Sequence, residues 1–134
     1  MGFKADLGYI NMSEFPHSCN ISPDELIVLI EKNAVALDIR TEDQWKKIGI
    51  IKGTFQETAF NKEGKFNVYL MDKVRALAGA ESQNIEIAFI SNDGETASIL
   101  GNAFAEDLGF KNVFVLKGGI KAWIEDKKAL IFEK

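Results

Sequence analysis

Apolar positions along this chain fall into two alternating spacings. Residues 34–39, 85–90 and 112–116 are short runs dominated by Ala, Val, Leu, Ile and Phe. Runs of this length, rich in β-branched residues, predict strands covered on both faces. Between them the apolar residues recur at helical steps: Val68, Met71, Val74 and Leu77 predict a helix over 66–78. Ala97, Leu100, Phe104 and Leu108, with Ile99 and Ala103 beside them, predict a broader-striped helix from about Ala97, ended by Gly109 as a C-cap. Ser22-Pro23-Asp24-Glu25 has the order of an N-cap, a proline at the first helical position and a capping-box acid, opening a helix to about Lys32. Thr41 with Gln44 predicts a shorter capped helix through Lys47. Residues 49–54 read as a strand and turn, 61–65 with Gly64 as a loop, and 119–127 as a last helix. Strands alternating with helices predict an α/β fold, a mainly parallel sheet with helices on both faces and ligands at the carboxyl ends of the strands. Ser91 lies at such an end.

Composition narrows the function classes. A chain of 134 residues, 46% of them apolar and ten of them Phe, suits one domain with one core. With a formal charge of -4 and lysines scattered among acids, no nucleic-acid partner is expected, because phosphate neutralisation needs clustered Lys and Arg. No apolar run approaches the length of a membrane helix, so no membrane partner is expected. The start, Met1-Gly2-Phe3-Lys4-Ala5-Asp6, has no apolar signal segment, and Asp6 breaks the myristoylation pattern. A cytoplasmic protein is the expectation, and a single cysteine agrees with a reducing compartment. Residues 1–20 read as a leader packing on the domain edge, and 21–134 as the single domain.

Three pieces occur in a specific order. Val35-Ala36-Leu37-Asp38-Ile39-Arg40 is a strand ending in Asp-x-Arg; Ser91-Asn92-Asp93-Gly94-Glu95-Thr96 follows a second strand; and a stretch from Leu108 through Gly118-Gly119 to Trp123 closes the pattern. Together they resemble a rhodanese-like domain, the sulfurtransferase family, over residues 21–128. The resemblance implies a three-layer rhodanese-like fold. In that family the loop reads Cys-Arg-x-Gly-x-Arg-Ser, so Gly94 matches while Ser91 stands at the cysteine position and Asn92 and Thr96 at the two arginine positions. The family's Gly-His-Ile-x-Gly-Ala resembles Gly49-Ile50-Ile51-Lys52-Gly53-Thr54, with Ile50 in place of histidine.

A loop between a strand and a helix N-terminus turns successive amides inward and makes an anion cradle. In the resembled family this cradle lowers the cysteine pKa and holds the persulfide, with arginines adding charge. Here Asp93 and Glu95 bring two negatives, and a helix dipole of about half a charge opposes them only partly. Sulfur transfer needs a thiolate that attacks and then carries sulfur, which the Ser91 hydroxyl does not provide. Acyl chemistry at Ser91 needs a base, and His17, the one histidine, lies far off in sequence. A phosphatase built on Cys-x5-Arg fails for the same missing residues. Asp93, Glu95 and Thr96 read as helix-capping residues or, with Asn92, as a cation or amine pocket.

The resulting expectation is a catalytically inactive rhodanese-like module, a pseudoenzyme with no catalytic residue, binding a protein or small-molecule partner through Ser91, Asn92, Asp93, Gly94, Glu95, Thr96 and Arg40. The alternative is an active sulfurtransferase using Cys19 or a partner's thiol. His17 and Cys19 stand two apart and share a face in an extended segment, yet without a second such pair they read as an ordinary surface site. No metal and no cofactor are expected, since two carboxylates do not make a hard-cation site. Arg40 reads as an ion-pairing residue or a pocket wall, Gly118-Gly119 as a tight turn, Trp45 and Trp123 as helix-to-sheet packing, and Lys46-Lys47 and Lys127-Lys128 as solvated helix faces.

Overall fold

A computed structural model describes the chain over residues 18–132, the side chains of residues 80–82 excepted. The first helix, α1 (Pro23–Glu31), starts where its capping box places it: the Ser22 hydroxyl accepts the Glu25 amide at 3.2 Å, and Glu25 Oε1 accepts the Ser22 amide at 2.8 Å. The Thr41–Gln44 pair opens α2 (Glu42–Ile48) with a looser box, the Thr41 amide reaching Gln44 Oε1 at 3.3 Å.

The three apolar runs form β2 (Val35–Asp38), β4 (Glu86–Ile90) and β5 (Asn112–Leu116), the middle of a five-stranded sheet. Two short strands close its edges, β1 (Cys19–Ile21) beside β5 and β3 (Phe55–Gln56) beside β2, and every pairing is parallel. Cys19 and Asn20, assigned to the leader from sequence, thus belong to the sheet, and residues 1–17 of that leader lie outside the described residues.

Alternation along the strands sorts the core onto two faces. Val35, Leu37, Ile87, Phe89, Val113 and Val115 point to one side, where α3 (Leu70–Ala78) brings Leu70 and Val74 and α4 (Glu95–Glu106) brings Leu100 and Phe104. Ala36, Ala88, Ile90 and Leu116 point to the other, under Leu26 and Leu29 of α1 and Ile120 and Trp123 of α5 (Gly119–Glu125). The fold is therefore three-layered α/β. Trp123 also anchors the chain beyond α5, its indole donating to the Ala129 carbonyl at 2.9 Å. Trp45, half-buried on α2, belongs to neither cluster.

Two elements depart from expectation. Residues 49–54 make no strand of their own: Ile50 forms a single antiparallel bridge with Ile131, and the left-handed Gly49 and Gly53 (φ 102° and 91°) interrupt the extended run before β3. The helix expected over 66–78 begins only at Leu70. Asn67 Oδ1 accepts the Tyr69 amide at 3.0 Å, a local bond that competes with helix, while Phe66 bridges Phe60. Val68 is left 70% exposed, outside the stripe its spacing suggested. The stripe from Ala97 belongs to a helix starting two residues earlier, at Glu95, and its cap is Asp107, with left-handed Gly109 just beyond.

Lys128 Nζ sits 2.8 Å from Asp24 and 3.3 Å from Asp126, tying the start of α1 to the end of α5. The hydrogen bond to Asp24 raises the lysine pKa above its ordinary value, so the contribution of this tie to stability is present at neutral pH and is lost as pH rises through the raised value.

Phe89 is fully buried and meets Phe104 edge-to-face with ring centroids 4.9 Å apart. Phe89→Ala is expected to cost about 3–5 kcal/mol in urea unfolding, whereas Val68→Ala stays within about 0.5 kcal/mol. Equal effects at the two positions would contradict the assignment of the core.

Candidate functional site

The strand order places the site. From β2 the chain steps outward to β3, and from β4 it steps the other way to β5, so the direction of winding reverses between β2 and β4. Ligands of open α/β sheets lie at such a reversal, at the carboxyl ends of the strands. Arg40 leaves β2 at this point and Ser91 leaves β4.

Ser91 opens a turn that runs through left-handed Gly94 (φ 95°) into α4. Its hydroxyl is turned inward, 4% of the residue being exposed, and accepts the amides of Gly94 at 3.0 Å and Ala97 at 3.3 Å. The Glu95 amide goes instead to Asp93 Oδ1 at 3.0 Å. Two amides, from positions 94 and 97, converge on Ser91 Oγ, while Asp93 takes that of Glu95, one of the two between them. Asp93 thus caps the helix, as its residue type favours. Ser91 satisfies two of the helix's unpaired donors from within the chain.

The turn is fastened from behind by α5. The amides of Ile120 and Lys121 donate to the carbonyls of Ser91 and Asn92 at 3.0 and 3.1 Å. Gly119, at φ 61°, makes this possible: a Cβ there would stand 2.4 Å from the Ser91 carbonyl oxygen and 2.6 Å from the Asn92 carbonyl carbon. The glycine pair thus serves a close backbone approach as well as the turn at Gly118 that caps α5.

Arg40 is 3% exposed and both ends of it are held. Its Nε donates to Asp38 Oδ1 at 3.0 Å, and its Nη2 to Asp38 Oδ2 and to the Gly49 carbonyl, each at 2.7 Å. The Arg40 carbonyl accepts the Thr58 hydroxyl at 2.8 Å. Arg40 is an ion-pairing residue, and it also lines a cavity of about 330 Å³ beside Ser91. That cavity is walled by Thr41 and Gln44 from the start of α2, by Phe60 and Asn61 from the following loop, and by Ser91, Asn92, Asp93 and Thr96. Next in sequence to the lining residues Asn61 and Gln44, an exposed ion pair between Lys62 and Asp43 joins the loop to α2. Its hydrogen bond holds the Asp43 carboxyl below the usual range, so this tie is present at neutral pH and is lost as pH falls through the lowered value.

The structure therefore brings together Arg40, Ser91, Asn92, Asp93 and Thr96, and sets Gly94 and Glu95 apart. Those two line a neighbouring cavity of about 490 Å³ with Asn20, Ser98, Ile99 and Lys117, and Asp93 borders both. The two acids thus do not both face the Ser91 cavity. Thr41, Gln44, Phe60 and Asn61 carried no sequence signal of a site; their place follows from the reversal of strand order and from the tight loop in which Asn61 Oδ1 accepts the amides of Glu63 and Lys65.

Cys19 is exposed on edge strand β1. Its register, Cys19 to Phe114 to Ala88, sets it two strands over and three residues short of Ser91, roughly 14 Å away at ordinary sheet spacings. His17 lies outside the described residues. Among the described residues, no group of three His, Cys, Asp or Glu is placed to hold a metal, and no helix is long and apolar enough to cross a membrane.

Two substitutions probe the turn. Ser91→Ala strands the Gly94 and Ala97 amides and is expected to cost about 1–3 kcal/mol in chemical unfolding. Gly119→Ala forces a Cβ into the carbonyls of Ser91 and Asn92 at a positive φ and is expected to cost more than about 2 kcal/mol. Silent behaviour in both variants would contradict the fastened turn.

Comparison with known proteins agrees with this architecture. The rhodanese-like domain family matches residues 22–126. An uncharacterized protein of Rickettsia prowazekii is 26% identical over 109 residues, covering 75% of this chain and 80% of that one. The polysulfide-sulfur transferase homodimer of Wolinella succinogenes superposes with a TM-score of 0.64 at 17% identity, covering 87% of this chain and 80% of that one. A rhodanese-related protein of Thermoplasma volcanium gives 0.62 at 24% identity, over 86% and 99%. A Rhodopseudomonas palustris protein of unknown function, described as a possible tyrosine phosphatase, gives 0.61 at 18%, over 84% of each. With its parallel sheet, its strand-turn-helix at Ser91 and a match over most of its length, the chain belongs to the rhodanese-like domain family.

Proposed function

We propose that this domain performs no sulfur transfer at its family loop and acts as a binding module, with the cavity between Arg40 and the 91–96 turn as its ligand site. The observation that carries this reading is the state of the cradle. The Gly94 and Ala97 amides, in the loop with which the resembled family holds a sulfur anion, are spent on a neutral hydroxyl of the chain itself. A serine oxygen has no persulfide state, so neither attack on a sulfane donor nor storage of sulfur is open to it. Charge points the same way: the Arg40 guanidinium is matched by Asp38 at 2.7 Å, and the cavity wall then adds Asp93. The relocated thiol has no such support, because Cys19 is not among the residues lining the Ser91 cavity.

Purified protein supplied with thiosulfate and cyanide is expected to form thiocyanate at the rate of the enzyme-free control. Turnover above it that Cys19→Ser abolishes would overturn the binding-module reading in favour of that thiol. Ser91→Cys alone is expected to gain little activity, because Asp93 stays at the cavity wall and the family's arginine positions remain Asn92 and Thr96. Adding Asn92→Arg and Thr96→Arg with Asp93→Asn supplies the missing charge, favours the thiolate, and is expected to exceed the single variant. Full activity from Ser91→Cys alone would show that one atom, and not the electrostatics of the loop, had been lost.

A further inference from the structure

Beside edge strand β1 the helix layer leaves part of the sheet uncovered. Phe114 lies on β5 with a strand on either side, yet it is only half-buried, and Val28 on α1 is 47% exposed. The two line a groove of about 240 Å³ with Ile21, Glu25 and Leu29. This is below the range of small-molecule sites, which begins at about 300 Å³. The charged group among its lining residues is Glu25, whose Oε1 already accepts the Ser22 amide in the capping box. What remains is apolar surface, which is stabilised by burial under other apolar side chains.

The chain supplies such side chains at the groove's own end. Cys19 is the Cα partner of Phe114, so about 5 Å separates the start of β1 from a groove residue. One position earlier the chain is pinned, the Ser18 amide and hydroxyl both donating to Asn102 Oδ1 at 3.2 and 2.8 Å. Upstream of Ser18 lie seventeen residues that carry Phe3, Leu7, Tyr9, Ile10, Met12 and Phe15 against three charged side chains, Lys4, Asp6 and Glu14. Phe15 is four residues from Cys19, a span of at most about 14 Å. Attachment so close raises the effective concentration of the segment at the groove to about the millimolar range, an advantage that a free partner lacks. The groove on the other side of β1 suits these residues less, because Asn20, Asp93, Glu95, Ser98 and Lys117 make most of its wall.

We infer that the groove between Val28 and Phe114 is the docking site of the chain's own residues 1–17, which turn back along β1 and pack Phe15, with the apolar residues before it, against α1. The groove shares no lining residue with the Ser91 cavity, so the segment covers the edge of the sheet and leaves that cavity open.

The test uses the full chain, carbon-13 labelled at the Val and Leu methyl groups. Nuclear Overhauser contacts are expected between the Phe15 ring and the methyls of Val28 and Leu29. In an equimolar mixture of labelled and unlabelled chains, filtered for contacts between molecules, they are expected to vanish, because both partners belong to one chain. Phe15→Ala is expected to lower the folding equilibrium constant about tenfold, as exposure of a buried aromatic side chain implies. In the Val28→Lys background, a substitution at a half-exposed position, the same change is expected to cost less than about twofold, because the effects of contacting residues are not additive. Absence of the contacts in the unaltered protein, contacts of Phe15 with Ile99 or Ser98 in their place, or equal effects of Phe15→Ala with and without Val28→Lys each overturn the inference. Contacts that survive the filter overturn it too, by assigning the groove to the leader of a second copy.

Discussion

The site depends on the backbone contact between the 91–94 turn and the start of α5. Two helix N-termini meet there. That of α5 gives the Ile120 and Lys121 amides to the carbonyls of Ser91 and Asn92, and that of α4 gives the Gly94 and Ala97 amides to the Ser91 hydroxyl. The absence of a side chain at Gly119 is what allows the approach, since a Cβ there would overlap backbone atoms that have no room to move. The turn is thereby preorganised without a ligand. In a sheet whose β4 and β5 are neighbours, the turn after one strand and the helix after the other are brought side by side, so the contact is a direct product of topology.

The Asp38–Arg40 pair is the second constraint. Removing both charges from water costs several kcal/mol per ion before their attraction returns it, and the arrangement is tolerable because Asp38 accepts two nitrogens of Arg40 while the Gly49 carbonyl takes a further bond. Its consequence for chemistry is that the cavity contains an arginine without a free positive charge. A family resemblance read only from residue types counts Arg40 as a cation at the site; the geometry shows it as half of a neutral unit. Loss of the cysteine and of charge at both arginine positions is thus not compensated by Arg40.

Much of this architecture was legible in the chain. The runs around Val35, Ile87 and Val113 are apolar on both faces because helices cover both sides of the sheet, and the Ser22 box marks α1 because capping is a local interaction that four residues encode. What could not be read locally was decided over distance. Phe66 and Val68 fit a helical stripe, yet Asn67 and the Phe60 bridge hold that segment out of the helix. Ile50 is bridged by Ile131, some eighty residues on, which no local spacing announces. In the site, Ser91 and Arg40 were visible as candidates through the family pattern, but the placing of Glu95 outside the Ser91 cavity, which Asp93 lines, depends on the sense in which α4 leaves Gly94. The contribution of Gln44 and Asn61 depends on α2 and the loop after β3 folding over one strand end.

The central claim is that the Gly94 and Ala97 amides are engaged by the neutral Ser91 hydroxyl, from which we propose that the loop takes no oxyanion. Titrating thiosulfate into the labelled protein while following the Gly94 and Ala97 amide resonances tests it most directly. The account predicts that both resonances stay where the Ser91 hydroxyl holds them, with only the small, linear drift of ionic strength. A saturable shift of both, removed by Gly119→Ala together with the turn's geometry, would show an anion in the cradle and contradict it.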